Sequence, residues 1–399
     1  MTKEQKSAKL CGGIIFRDKF LTIKRGLMIV VKEVKTKKEQ KEFLNFPLKM
    51  YKDNKYFVPP LYMDEKQIFK KDYVYYETSD AVYFNAYKDG KMVGRISGIH
   101  QKASNEKWNQ KRVRFTRFDA IDDQDVANAL FKAVEDWAKN LGMEEVVGPL
   151  GFSDLEREGL LIEGFDELAT FEEQYNFPYY QKLIENLGYE KEIDWTERKL
   201  YLPDEESDRY DRLTKKVMEK YHLRLGEAKN INDFIKRYGD EFFKMIDETY
   251  NHIYGSVPFT DNMKKMLIDN FKIMLTLDDV MVVLDENDKI VCFGLGIPGI
   301  GEALQKSSGH LTLRALLKIL KIRKHPKVLD LGLIGVAKEY EMKGVSSILI
   351  SYIFKHLKNG VEHVETNLNL EDNYHIQNQW KIFETRIHKR RRCYVKKIK

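Results

Sequence analysis

The sequence predicts an α/β protein with mixed sheets, in which one order of strands and helices occurs twice. Residues 82–99 and 280–297 each alternate apolar and polar side chains around a short polar turn, which is typical of a β-hairpin. Each hairpin is followed by a further strand, an amphipathic helix and another strand. With 399 residues, the chain is long enough to form two hydrophobic cores. We therefore expect two domains of the same fold in tandem.

We expect the first domain at residues 28–203 and the second at 204–399, with the boundary in the charged segment 201–213. An apolar run that starts a strand begins at Met28, whereas residues 1–27 fit the pattern poorly and are interpreted as a loosely held N-terminal extension. The other predicted elements are a strand at 112–121, a helix at 125–141, a strand at 143–152, a short helix within 178–194, and helices at 215–272.

The composition indicates a folded globular protein, because 43% of the residues are hydrophobic and 12% are aromatic. The 68 basic and 62 acidic residues give a net charge of +6, and this mixed balance without a recognisable module argues against nucleic-acid binding. Cys11, Cys292 and Cys393 have no metal-binding or redox spacing, so no metal is expected. No apolar run reaches the roughly 18 residues of a membrane span, and no signal peptide is evident. These features predict a cytoplasmic protein.

One connection between a strand and a helix in the second domain has the features of a phosphate site. Residues 328–337 are predicted to form a buried strand, and Gly344 precedes a helix that ends at Asn359-Gly360. A helix that opens after a glycine turn directs free amides and its positive dipole end at one point, which suits a phosphate. An ordinary connection explains the same pattern. Residues 120–125 of the first domain lack a glycine and carry three carboxylates, which helix capping explains better.

The order hairpin, strand, helix, strand, helix, strand resembles the fold of the GCN5-related N-acetyltransferases (GNAT). In that family the loop after the fourth strand holds the coenzyme A pyrophosphate and has the pattern Gln/Arg-x-x-Gly-x-Gly/Ala. Gly344 matches this pattern and Ser346 is a small substitute, whereas Glu341 stands where the family has Gln or Arg. The whole loop, called the phosphate loop below, consists of Glu341, Met342, Lys343, Gly344, Val345 and Ser346.

The tandem pattern, with the motifs at 118–123, 148–154 and 163–168 and the C-terminal segment 384–397, resembles a bacterial GNAT-related group that includes ceramide synthase-like proteins. The resemblance covers nearly all of residues 28–399. It implies an acyl-CoA N-acyltransferase that uses acetyl-CoA or a long-chain acyl-CoA and acts on a small-molecule or lipid amine, such as a sphingoid-like base. It also implies that the donor binds the second domain through the backbone of Gly335, Val336 and Ala337 and through Lys343, Gly344, Val345 and Ser346.

Acyl transfer to an amine requires a base that takes the amine proton. The predicted strand at 361–370 offers Glu365 and Asn367, which share a face with His363 because side chains alternate along a strand. Burial would raise the pKa of Glu365 toward neutrality and make this carboxylate a candidate base. A solvent-facing or structurally paired glutamate fits the same sequence, and His363 fits a structural role.

The departing thiolate needs stabilisation, for which GNAT enzymes often use a tyrosine of the fourth helix. Here Trp380 and Phe383 occupy the corresponding positions, and Tyr374 is the nearest substitute. The missing tyrosine and Glu341 favour an alternative function, namely a non-catalytic GNAT-fold binding protein that has lost the chemistry. The sequence predicts no oligomeric state.

Two basic segments have alternative interpretations. Residues 309–325 are an insertion before the fourth strand of the second domain, and their leucines lie at helical spacing among basic side chains. Such a helix is typical of a lid or of peripheral contact with the inner membrane face, and it equally fits a helix packed on its own domain. Residues 389–392 precede the last predicted strand and suit either coenzyme A phosphates or a solvated strand edge.

Overall fold

The computed structural model describes residues 29–203 and 207–398. The predicted extension at 1–27, Met28 and Cys11 lie outside these ranges. The strands are β1 Ile29–Glu33, β2 Ser79–Lys88, β3 Lys91–Gln101, β4 Arg112–Ala120, β5 Glu145–Gly148, β6 Leu160–Glu163, β7 Glu190–Tyr201, β8 Arg224–Leu225, β9 Val280–Leu284, β10 Ile290–Pro298, β11 Val328–Val336, β12 His363–Thr366, β13 Asn369–Leu370 and β14 Glu384–Lys397.

The helices connect these strands in the predicted order. They are α1 Lys37–Met50, α2 Tyr62–Glu65, α3 Lys102–Trp108, α4 Gln124–Asn140, α5 Tyr179–Glu185, α6 Ser207–Lys220, α7 Ile231–Tyr250, α8 Asp261–Phe271, α9 Gly301–Ser307, α10 Leu313–Lys324, α11 Ser346–Lys358 and α12 Tyr374–Trp380.

The predicted α/β architecture with a mixed sheet and a repeated order of elements is confirmed. The hairpins β2–β3 and β9–β10 are antiparallel, and each is followed by a strand, a helix and a parallel strand: β4, α4 and β5 in the first half, and β11, α11 and β12 in the second. A short helix and a long final strand, α5 with β7 and α12 with β14, complete each half. The predicted strand at 143–152 is shorter in the structure, because β5 ends at Gly148.

Two of the long helices begin where a side chain satisfies a free amide of the first turn. Asn230 accepts a hydrogen bond from the Asp233 amide at the start of α7. Asp123 accepts one from the Asp125 amide at the start of α4. The helix capping expected for residues 120–125 is therefore confirmed.

The final strand of each half pairs with the other half. β7 lies antiparallel to β12, with Leu200 opposite Val364, and β14 lies antiparallel to β5, with Tyr394 opposite Gly148. β7 and β14 also pair with each other along most of their length. The two sheets therefore merge into one, in the order β1-β2-β3-β4-β5-β14-β7-β12-β11-β10-β9-β8.

This exchange corrects the interpretation of the basic run at 389–392, which lies inside β14 rather than before it. Lys389 and Arg391 are buried, 1% and 0% exposed. The Lys389 Nζ atom lies 3.2 Å from Glu365 Oε2, and the Arg391 Nε atom lies 2.6 Å from Glu197 Oε1. Because β14 is a central strand and its side chains alternate, these two cations face buried carboxylates instead of solvent or a phosphate.

We predict that the halves do not fold separately, because a fragment ending at residue 203 lacks β14 beside β5, and a fragment starting at 204 lacks β7 beside β12. The full chain is expected to unfold in one transition by circular dichroism, whereas each fragment alone should show no cooperative transition.

A protease site inserted at residues 204–206 is the control. After cleavage of the folded chain, the pieces should stay together on size-exclusion chromatography. Cooperative unfolding of the isolated 1–203 fragment near the melting temperature of the full chain would contradict the prediction.

Candidate functional site

A cavity of about 840 Å³ lies where β11 and β12 separate. The two strands pair in parallel only from Val328–Leu331 to His363–Thr366. Beyond Leu331 the edge of β11 faces the cavity up to Val336. Further lining residues lead toward the phosphate loop: Ala337, Lys338, Glu339 and Glu341. Parallel strands that diverge in this way expose backbone donors and acceptors along one edge.

The corresponding gap in the first half is filled by aromatic side chains. β4 and β5 pair only over Arg112–Arg114, after which the Tyr180 hydroxyl accepts a hydrogen bond from the Ala120 amide at 3.0 Å. The Tyr179 hydroxyl donates to the Ala120 carbonyl at 2.8 Å. These contacts satisfy the backbone groups at the end of β4. Of the two halves, the second is therefore the one in which the strand edge at this position, that of β11, faces a cavity.

The two halves supply different parts of the cavity lining. Most of the apolar lining comes from the second half, chiefly from one face of α7, α8 and the sheet: Ile231, Phe234, Ile235, Phe242, Phe243, Ile246, Leu267, Phe271, Leu275, Leu295, Ile297 and Leu333. The first half contributes Leu155, Trp195 and five carboxylates, which we call the acidic wall: Asp154, Glu156, Glu158, Glu172 and Glu173.

Glu158 is the acidic-wall residue best suited to exchange a proton with a ligand. Its side chain is 3% exposed, and its Oε1 atom has no hydrogen-bond partner within the ranges that the structure describes. Burial, together with the neighbouring charge of Asp154, raises the pKa of Glu158 well above its ordinary value. A raised pKa means that the ionised carboxylate binds a proton more strongly, so Glu158 in its ionised form can act as a base toward an amine in the cavity.

Tyr250, at the end of α7, occupies the open edge of β11. Its hydroxyl donates to the Ile334 carbonyl at 3.0 Å and accepts from the Ile334 amide at 3.2 Å. Burial raises the pKa of Tyr250 to about 12, so the phenol keeps its proton at neutral pH. Because backbone groups alternate along a strand paired to β10, those of Val336 face the same edge as those of Ile334.

Of the three backbone positions predicted to bind the donor, only Val336 faces the open edge. Gly335 lies between Ile334 and Val336, so its backbone amide and carbonyl face the opposite way, toward Phe293 of β10. The Ala337 amide already donates to the Val291 carbonyl at 2.8 Å, so it is not free to bind a donor.

The phosphate loop has the backbone geometry of an anion site. Met342 and Gly344 have φ values of 59° and 80°, and the left-handed turn at Gly344 leads directly into α11. The Ser347 amide bonds back to the Gly344 carbonyl. The amides of Gly344, Val345 and Ser346 have no acceptor in the described part of the chain, and they lie at the positive end of the helix dipole.

The charges around this loop are mixed. Lys343 is exposed and its ammonium lies over the Tyr340 ring, 4.8 Å from the centroid, while Lys338 lines the cavity. Glu341 is also exposed and lines the cavity mouth. The free amides fit a pyrophosphate, and Glu341 is the one loop side chain whose charge opposes it.

The prediction that burial raises the pKa of Glu365 is wrong. Glu365 is 6% exposed, but it lies outside the cavity lining and contacts Lys389 and His363, each at 3.2 Å. Burial alone would raise the pKa of Glu365, yet the charge of Lys389 and the hydrogen bond to His363 outweigh burial and hold it well below its ordinary value. Glu365 therefore forms a structural ion pair with Lys389 of β14. This matches the alternative interpretation of Glu365 as a structurally paired glutamate.

The other two predicted catalytic residues have different positions. Asn367 lines the cavity, where its Oδ1 atom accepts a hydrogen bond from the Leu368 amide at 2.8 Å. Tyr374 is 70% exposed and does not line the cavity. The phenols that do line it, Tyr250 and Tyr254, come from the end of α7 and the turn after it.

The sequence-based search missed Tyr250 and the whole acidic wall. The signal available for the acidic wall was the run of acidic residues at 154–158, directly after the motif at 148–154. These residues belong to the first half, and nothing in the local sequence indicates that the first half supplies a wall of the cavity in the second.

None of the helices within the described ranges is long and apolar enough to cross a membrane. Within the same ranges, no three His, Cys, Asp or Glu side chains are grouped so that they could hold a metal ion.

We predict that Glu172→Gln stabilises the protein at alkaline pH. Burial raises the pKa of Glu172 to about 7, against about 4.3 in an unfolded chain. The folded wild type therefore loses stability as the pH rises from about 4.3 to about 7, because the unfolded chain releases this proton earlier. The variant lacks this loss and should be more stable than wild type by on the order of 2 kcal/mol at pH 8, with little difference near pH 4.5.

Urea unfolding at both pH values measures the difference, with Glu163→Gln at an exposed position of β6 as the control. An equal stability difference between variant and wild type at the two pH values would show that Glu172 does not carry the raised pKa.

Comparisons with known proteins give relatives along nearly the whole chain, although no family model matches the sequence. The chain is 28% identical over 389 residues to Protein YghO of Escherichia coli (strain K12), covering 92% of this chain and 95% of that protein. It is 27% identical over 334 residues to the bacterial ceramide synthase of Caulobacter vibrioides (strain NA1000 / CB15N), covering 81% and 84%.

Two solved structures share the architecture at 11% sequence identity. One is a tandem GNAT protein from the clavulanic acid biosynthesis pathway, with a TM-score of 0.52 over 94% of this chain and 99% of that one. The other is a fungal multidomain β-N-acetylglucosaminidase with a GCN5-related glucosamine N-acetyltransferase region, with a TM-score of 0.55 over 93% of this chain and 38% of that one. Together with the repeated order of elements, these likenesses establish that the chain has the tandem GNAT fold.

Proposed function

We propose that the protein is an acyltransferase that moves an acyl group from acyl-CoA to an amine. The observation that carries this proposal is that one cavity joins the open edge of β11, close to the phosphate loop, with the acidic wall of the first half. The similarity to a protein named a bacterial ceramide synthase supports the same reaction class.

Acyl-CoA would supply a thioester, whose acyl carbon is the point of attack for the amine. The free amides of Gly344, Val345 and Ser346 would hold its pyrophosphate, and the backbone of Ile334 and Val336 would hold the chain beyond it. The apolar lining from α7 and α8 suits a long acyl chain, since each buried methylene contributes about 0.8 kcal/mol.

Glu158 and Tyr250 would handle the protons of this transfer. Glu158 takes the proton that the amine loses as the C–N bond forms. Tyr250 keeps its proton at neutral pH and lies at the edge of β11, where it can donate to the sulfur as the C–S bond breaks. In this proposal, Glu158 and Tyr250 replace Glu365 and Tyr374, and Asn367 remains a polar residue of the lining.

We predict that Glu158→Gln lowers kcat/KM by about 100-fold or more, because loss of a general base typically costs a factor of 10² to 10⁴. Release of free thiol from acetyl-CoA and dodecanoyl-CoA, tested against a panel of amines, measures the activity. The longer donor should be preferred. Glu163→Gln, which removes an exposed carboxylate of β6, is the control.

Donor binding is measured separately through the rise in melting temperature. Gly344→Leu should abolish this rise because the position has a φ of 80°, whereas Glu158→Gln should retain it. Unchanged turnover in Glu158→Gln would remove the proposed base. Binding of acyl-CoA without turnover of any amine would favour the alternative, a non-catalytic binding protein.

We also propose that α10 contacts an anionic membrane surface. Its Ala315 and Ile319 side chains pack on the domain, while Leu313 and Leu317 are 73% and 60% exposed. Packing on the protein thus uses only one face of the helix. The exposed leucines lie among basic side chains, which is the combination that favours an anionic lipid surface: Arg314, Lys321 and Lys324.

We predict that the double variant Lys321→Glu and Lys324→Glu loses co-sedimentation with vesicles containing phosphatidylglycerol. Each basic side chain near such a surface contributes about 1 kcal/mol, so reversing two charges should weaken binding at least about tenfold. Lys216→Glu, an equally exposed lysine of α6, should bind like wild type. If wild type does not sediment with these vesicles, or binds neutral vesicles equally well, the membrane proposal fails.

A further inference from the structure

The acidic wall contains more carboxyl groups than cations of the surrounding protein pair with. Asp154, Glu158 and Glu172 have no ion pair in the described ranges. Glu173 lies 3.7 Å from the Arg391 Nε atom, which makes its short contact, 2.6 Å, with Glu197 instead. Without a counter-charge, burial raises the pKa of Glu158 well above its ordinary value and that of Glu173 to about 8, so these groups hold a proton unless a cation takes its place.

Two of these carboxyl groups are buried and each has an oxygen atom without a partner. Glu158 and Glu173 are both 3% exposed, and both line the cavity. Their Oε1 and Oε2 atoms, respectively, make no hydrogen bond within the part of the chain that the structure describes. Such atoms are satisfied when a donor enters the cavity.

The nearby guanidinium groups are already engaged with other acceptors. Arg114 donates to the Gly151 carbonyl, the Ser104 hydroxyl and the Gly255 carbonyl. Arg157 donates to the carbonyl of Phe171. Neither forms an ion pair with Asp154, Glu158 or Glu172 among the described residues, so these carboxylates are available to pair with a cation that enters the cavity.

Four of the five acidic-wall carboxylates, all except Glu156, form two pairs at different places on the wall. Asp154 and Glu158 adjoin the segment after α7, since the Val257 amide donates to Asp154 Oδ1 at 3.2 Å and Glu158 Oε1 lies beside Gly255. Glu172 and Glu173 are adjacent in the chain, and Glu173 faces β14 at Arg391. The first pair therefore lies near the end of α7, where Tyr250 is the last residue.

We propose that the acceptor is an amine with two positively charged groups. The reacting nitrogen lies at Asp154 and Glu158, where the Asp154 carboxylate takes the ammonium proton and leaves a neutral amine whose next proton passes to Glu158 as the C–N bond forms. The second ammonium lies at Glu172 and Glu173. This inference rests on the proposed acyl transfer and names its acceptor class. In this proposal, residues of the first half bind the acceptor and residues of the second half bind the donor.

The test compares matched amines that differ only in the second charge. Turnover with acetyl-CoA is measured for 1,3-diaminopropane, 1,4-diaminobutane and 1,6-diaminohexane against propylamine, butylamine and hexylamine. The KM of at least one diamine should be tenfold or more below that of its monoamine. In Glu173→Gln and in Glu172→Gln this ratio should fall toward one, while Glu163→Gln should keep it. Circular dichroism establishes that each variant is folded.

Titration calorimetry of the same amines without acyl-CoA separates this inference from the proposed activity, with MgCl₂ at equal ionic strength as the control for screening. Tight diamine binding without any thiol release would support the acceptor site and overturn the acyl transfer. Thiol release with equal KM values for diamines and monoamines would support the transfer and overturn the second cation site.

Discussion

The exchange of β7 and β14 is the constraint on which the rest of the molecule depends. It brings Lys389 and Arg391 into the centre of the sheet, where Glu197 and Glu365 neutralise them. Removing one partner of a buried ion pair typically costs about 3–5 kcal/mol, because the other charge is left uncompensated. These side chains therefore hold the two halves in one register, and that register sets the first half against the cavity of the second.

Buried carboxylates in this protein have two different roles, and the distinction is the presence of a cation. Glu365 is ion-paired, so its pKa falls and it keeps its charge. Glu158 lacks an ion pair within the described ranges, so its pKa rises and it attracts a proton. Burial is nearly the same for both, at 6% and 3% exposure. The presence or absence of a neighbouring cation, rather than the extent of burial, therefore decides which carboxylate is suited to proton transfer.

The elements that depend on local sequence could be predicted, whereas those that depend on the exchange could not. The hairpins and the glycine turn before α11 follow from alternation and turn residues, which are short-range signals. Glu365 was misjudged because its partner Lys389 is 24 positions away on a strand that leaves its own half. The acidic wall was missed for the same reason, since its residues and the open edge of β11 come from different halves.

The hydrogen bonds of Tyr250 have a consequence for ligand binding along the open edge of β11. One hydroxyl satisfies both the amide and the carbonyl of Ile334, so a ligand that extends along this edge has to take both hydrogen bonds at once. The phenol that such a ligand would displace belongs to Tyr250, the last residue of α7. The segment that follows α7 contacts Asp154 through the Val257 amide. In the proposed reaction, acyl-CoA bound along this edge would displace Tyr250, and Tyr250 is joined through the segment after α7 to Asp154 of the proposed acceptor site.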